Sequence, residues 1–150
     1  MIVAQLNVAR MRYPLDSPEL ADFVAGLTEV HAIAEASPGY LWREDSTRLR
    51  PFGPEILFNL STWRTVEDLR AFTYHSRHVE FMRRRREWFD LEGLPAFLVL
   101  WWVRENHRPT LAEGKRRLDY LASHGPSAVA FTLRTSFPAP VGPSSLRGRQ

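Results

Sequence analysis

Ile56-Leu57-Phe58-Asn59-Leu60-Ser61-Thr62-Trp63, followed by Arg64-Thr65-Val66-Glu67-Asp68-Leu69-Arg70-Ala71-Phe72, decides how this chain folds. The first eight residues alternate as a strand. Leu57, Asn59, Ser61 and Trp63 share one face, and Ile56, Phe58, Leu60 and Thr62 share the other. Both faces carry apolar side chains, which predicts a strand covered on both sides. Thr65 and Asp68 stand at capping-box spacing, with Asp in place of the more usual Glu, and open a helix two residues after the strand ends.

Upstream, Ile2 to Ala9 also alternates, with Ile2, Ala4, Leu6 and Val8 on one face and Val3, Gln5 and Asn7 on the other. Gln5 and Asn7 admit two readings: a solvated edge, or the polar lining of a cavity. Ser17-Pro18-Glu19 has the signature of a helix start, and Leu20, Phe23, Val24, Leu27, Val30 and Ile33 continue it as an apolar stripe. Ser37-Pro38-Gly39 stops that helix. Glu29 and His31 near its end read as ordinary surface residues. Tyr40 to Arg43 is a short strand, and the polar stretch 45–54 is a loop.

Downstream, Leu69, Phe72, Val79 and Met82 extend the apolar face of the second helix, but the register slips between Thr73 and His78. A break there puts Tyr74, His75 and His78 at a corner. Arg83 to Arg86 follow, and on a continuous helix they spread over roughly 300°. That spacing predicts pairs Glu80–Arg84 and Arg83–Glu87 on a solvated helix. In the functional reading, Arg83 or Arg86 turns inward to grip a carboxylate or propionate with its planar fork. Ala96 to Val103 is a buried strand. Thr110 and Glu113 form a capping box for a helix bearing Leu111, Leu118 and Leu121, which Gly125-Pro126 ends. Ala128 to Thr135 reads as a last strand.

The resulting order predicts an α+β fold: a ferredoxin-like split βαβ with an added C-terminal helix and strand, one domain over residues 2–137. Residues 138–150, rich in Pro, Gly and Ser, are expected to be a disordered tail. Helices cover one sheet face. The other, partly apolar, is expected to be covered by the sheet of a second copy in a homodimer.

Composition narrows the function classes. The chain has 150 residues, a net charge of +3 and no cysteine. Disulfide and thiolate chemistry are excluded, and an intracellular setting is the mild inference. No apolar run approaches the roughly 20 residues that span a bilayer, so a soluble, cytoplasmic protein without a membrane partner is expected. Charges of both signs are interleaved, which argues against nucleic acid. No Gly-x-Ser-x-Gly elbow and no Gly-rich phosphate loop is present.

What remains is aromatic and polar. His75 and His78, three apart, can both face one ligand, but no third group at a metal-ligand spacing joins them. Five tryptophans and nine phenylalanines mostly build core. Trp63, Trp88 and Trp101 beside a polar lining suit a flat hydrophobic ligand.

The strand carrying Asn7, the Asn59-Leu-Ser-x-Trp63 strand end, the helix start after Thr65 and Ser76-x-His78 resemble the dimeric α/β-barrel proteins. These include the antibiotic biosynthesis monooxygenases and the haem-degrading monooxygenases. Ala4-Gln5-Leu6-Asn7, the Arg83 to Phe89 run, Leu100-Trp101-Trp102 and His107-Arg108-Pro109-Thr110 resemble more closely the domain of unknown function 3291 group. The resemblance covers roughly residues 2 to 137 and implies a dimeric α/β barrel.

In the haem-degrading members an Asn on the first strand, a Trp on the following helix and an axial His act together. Asn7 matches the first; Phe72 falls near the second, and Arg83 near the third, with His75 and His78 upstream. The resemblance implies a monooxygenase-like oxidoreductase acting on a planar or aromatic ligand between sheet and helices, haem-associated or cofactor-free. Asn7, Trp63, His75 and His78 are then the catalytic candidates, and His75, His78, Arg83, Arg86 and Trp88 the cofactor-binding ones. A non-catalytic dimer that binds haem or a small molecule is the alternative.

Overall fold

A computed structural model describes residues 1–45, 49–76, 78–92, 94 and 96–141; for His78 it describes the backbone alone. Strand β1 (Ile2–Met11) is followed by a single 3-10 turn (Pro18–Leu20) and helix α1 (Ala21–Ala36). Strands β2 (Tyr40–Arg43) and β3 (Ile56–Trp63) come next. Three helices then follow in quick succession, α2 (Val66–His75), α3 (His78–Arg83) and α4 (Arg85–Trp88). Strands β4 (Phe89–Asp90) and β5 (Leu98–Val103) and helix α5 (Leu111–His124) complete the described elements.

The sheet is antiparallel throughout, with β1 at its centre. β3 lies on one side of β1 with β2 outside it, and β5 and the two-residue β4 share the other side. This α+β strand order is consistent with a ferredoxin-like plan. The helix starts follow from local chemistry: Thr65 Oγ1 accepts from Asp68 N at 3.0 Å, and Thr110 Oγ1 from Glu113 N at 3.1 Å. Ser17 is not such a cap. Its hydroxyl donates to the Pro14 carbonyl instead, and the chain enters α1 through the 3-10 turn.

Alternation along the strands sorts the core into two layers. Ile2, Ala4, Leu6 and Val8 join Leu60, Val99, Trp101 and Val103 beneath Leu118 and Leu121 of α5. Helix α5 therefore covers part of the face for which a second sheet was expected. Gly114 makes the close approach possible, since a Cβ there would lie 3.0 Å from Leu6 Cδ2. Toward β2 and β3 the same face stays half-exposed, with Trp42, Phe52, Ile56 and Phe58 only partly buried.

The opposite face holds two apolar clusters. Val3, Trp63, Val66, Leu69, Leu100 and Phe131 form one, and Leu20, Phe23, Trp88 and Phe89 the other.

Three expectations are corrected. Residues 128–135 do not form a strand: Phe131 alone bridges Leu100, through a reciprocal pair of backbone hydrogen bonds at 2.8 and 2.9 Å. The arginine run is not one helix, because the chain turns at Arg84. The pairs Glu80–Arg84 and Arg83–Glu87 are accordingly replaced by Arg84–Glu87 at 2.8 Å and Arg84–Asp22 at 3.0 Å. The expected tail, 138–150, falls mostly outside the described residues. Among those described, no helix is long and apolar enough to cross a membrane.

Candidate functional site

Between the two clusters of the helix-facing side runs a polar seam. Register places Gln5 opposite Ser61 and Asn7 opposite Asn59, all projecting to one face. Gln5 Nε2 donates to Asn59 Oδ1 at 2.5 Å and to Ser61 Oγ at 2.8 Å. Trp63 Nε1 donates to the same Ser61 oxygen at 2.9 Å. Gln5, Ser61 and Trp63 are buried, and the network satisfies donors that would otherwise be costly to bury.

Asn7 is different. It sits on the central strand, paired on both sides by Asn59 of β3 and Leu98 of β5, and yet it is exposed. A side chain in the middle of a sheet reaches solvent only where the covering layer leaves a gap. The seam thus opens at Asn7 and the half-exposed Asn59, and closes toward Trp63. There Phe72 stacks on the indole at 5.1 Å and Tyr40 meets it edge-on at 5.5 Å.

At the outer end of the same row, Arg43 lies in register with Ser61. Its side chain is largely buried; one terminal nitrogen lies 3.5 Å from Glu35 of α1, while Nε is buried with no hydrogen-bond partner. His31, one turn earlier on α1, has its pKa pushed down, first by burial, then by the Arg43 charge, against the opposing pull of Glu35. Burial also raises the Tyr40 phenol. Beside the site stand Arg43, which the sequence places only as the end of a strand, and His31, which reads in sequence as an ordinary surface residue and is partly buried. Their only signal was proximity in sequence to the α1–β2 connection.

The other sequence candidates lie elsewhere. His75 is the exposed last residue of α2, and His78 opens α3. No described contact joins His75 to the seam. Trp88 is enclosed by Phe23, Phe81 and Phe89, with the Arg84 guanidinium 4.9 Å from its ring centre. Arg83 and Arg86 line an outer groove beside Tyr74.

A haem needs an axial donor over a slot with cations at its rim. Among the described side chains, which do not include that of His78, Trp63 already has Phe72 on its face and the candidate arginines Arg83 and Arg86 lie on an outer groove. Three or more His, Asp or Glu side chains do not converge on a metal position among the described residues.

The seam's chemistry is that of amides, a hydroxyl and an indole, suited to orienting a ligand through hydrogen bonds. The comparison with curated proteins finds no match. A family pattern does match, over residues 2–146. It contains the seam residues, the arginine run and the α5 cap, and the chain belongs to the family described as Domain of unknown function (DUF3291).

Proposed function

We propose that the chain is a monooxygenase-like small oxidoreductase that takes a planar or aromatic ligand between sheet and helices, without haem, and works as a homodimer. The observation that carries this reading is the exposed Asn7 in the middle of the sheet, beside a hydrogen-bonded Gln5–Asn59–Ser61–Trp63 network. Amide groups at the mouth of a cleft polarise and orient oxygen atoms on a ligand, and the buried network fixes Asn59 in place. Dioxygen is the co-substrate in this reading: one oxygen atom enters an electron-rich ligand, and the other leaves as water with two hydrogens of that ligand, whose electrons reduce both atoms. In this reading the proton carrier is a histidine, His75 or His78 at the α2–α3 corner. The half-exposed apolar surface of Trp42, Ile56 and Phe58 supports pairing with a second copy.

A second reading, a non-catalytic small-molecule binder, is favoured by one observation: every group in the hydrogen-bonded network is non-titrating. Oxygen uptake with a panel of polyhydroxylated aromatics separates the two. The enzyme reading expects uptake that falls at least about tenfold in Asn7→Ala and in the His75→Ala/His78→Ala double variant. Saturable binding lost in Asn7→Ala, with no uptake, leaves the binder. Uptake unchanged in both variants overturns the assignment of these residues. A sharp Soret shift on haem titration, lost in His75→Ala, would restore haem.

A further inference from the structure

The corner where α2, α3 and α4 meet carries a concavity built from residues other than those of the seam. Val79 and Met82 supply apolar surface to a groove of about 250 Å³, Tyr74 adds a ring that is 52% exposed, and Arg83, Arg85 and Arg86 complete the lining. The turn at Arg84 is what gathers these three cations. On an unbroken helix Arg83 and Arg86 would share a side, but Arg85 would point about 160° away from Arg83; here α3 ends at Arg83, α4 begins at Arg85, and both segments border one groove.

Arg84 is consumed by the fold, bonded to Glu87 and Asp22 and lying over Trp88. Arg83, Arg85 and Arg86 are exposed, and among the described residues none has a carboxylate within ion-pair distance. The same bonds hold Glu87, the acid nearest in sequence to Arg85 and Arg86, on Arg84. Three guanidinium groups around an apolar floor attract an anion over distance and bind its oxygens through planar forks. A bare inorganic ion leaves Val79, Met82 and the Tyr74 ring unused.

We propose that this groove is a binding site for a small amphipathic anion, an aromatic body carrying a phosphate or carboxylate head. The head sits among the three arginines and the body covers Val79, Met82 and Tyr74. The site is independent of the seam.

The test is calorimetric titration of the full chain with 1-naphthyl phosphate, 1-naphthoate, 1-naphthol and inorganic phosphate. Naphthyl phosphate or naphthoate is expected to bind at least about tenfold more tightly than either naphthol or phosphate, since only they offer both head and body. The Arg83→Ala/Arg86→Ala double variant is expected to lose about tenfold or more in affinity, and added salt to weaken wild-type binding. Asn7→Ala is expected to leave binding unchanged, which keeps this site's success or failure apart from that of the seam. Far-UV circular dichroism checks that each variant is folded, and Arg85→Ala provides a second variant. Absence of binding at millimolar ligand, equal affinity in the arginine variants, or loss of binding in Asn7→Ala would each overturn the proposal.

Discussion

The indole N–H of Trp63 donates to the hydroxyl of Ser61, two residues back on the same strand face, across 2.9 Å. Gln5 reaches that oxygen from the neighbouring strand at 2.8 Å, so one small side chain serves two buried donors. Ser61→Ala strands the Trp63 indole N–H and one N–H of Gln5 in a buried position, while Gln5 keeps its bond to Asn59. We expect it to lower stability by about 1–3 kcal/mol, the cost of leaving buried polar groups unmade. Urea unfolding followed by tryptophan fluorescence reads the change. A loss near zero would mean that water or Asn59 takes over both bonds.

Gly114 sets how closely α5 lies on the sheet. A Cβ there would stand 3.0 Å from Leu6 Cδ2 and 3.3 Å from Trp101 Cη2, both side-chain atoms. Alanine gains about 1 kcal/mol of helix propensity over glycine, which offsets the crowding, so Gly114→Ala is expected to be near neutral. Gly114→Val has no such room and is expected to cost about 1–3 kcal/mol by overpacking. Thermal unfolding of the two variants distinguishes close packing from a loosely docked helix, for which valine would be tolerated.

What the sequence disclosed and what it withheld follow one physical line. The face assignment of Asn59, Ser61 and Trp63, the Thr65 and Thr110 caps and the break after His75 are local properties, carried by strand alternation or by residues three or four apart. The position of α5 is not local. It depends on Gly114 meeting Trp101 and, across most of the chain, Leu6. The turn at Arg84 was hidden because four arginines have good helix propensity, while Trp88 among Phe23, Phe81 and Phe89 and the Arg84–Asp22 bond are tertiary.

At the candidate site, Asn7 and Gln5 were visible as a polar strand face, but their difference in exposure depends on where the helices leave a gap. Arg43 and His31 come together only through the packing of α1 against β2. No spacing in the sequence encodes that contact.

His31 makes stability depend on pH. Its folded-state pKa lies below the ordinary 6.5, with burial the main cause, Arg43 adding to it and Glu35 opposing. The unfolded chain therefore takes up this proton more readily than the folded one, and stability present above 6.5 is lost as pH falls. Urea midpoints measured from about pH 7.5 down to about pH 5 are expected to decline, and His31→Gln to flatten that decline. An unchanged slope in His31→Gln would place the dependence on the carboxylates instead.

The half-covered sheet face bears on assembly. Trp42, Phe52, Ile56 and Phe58 remain partly exposed where α5 ends its cover, and their apolar surface gains about 25 cal/mol for each Å² removed from water. A second copy placed there would need to bury about 1,200–2,000 Å² in total to be stable. Light scattering at micromolar concentration is expected to give twice the chain mass for the wild type. Phe58→Arg, which sets a charge in the middle of that surface, and Ile56→Lys, which does so at the strand end, are both expected to shift it to the monomer with the fold retained by circular dichroism. A wild type that is monomeric would end the dimer reading, and a dimer indifferent to both substitutions would move the interface away from this face.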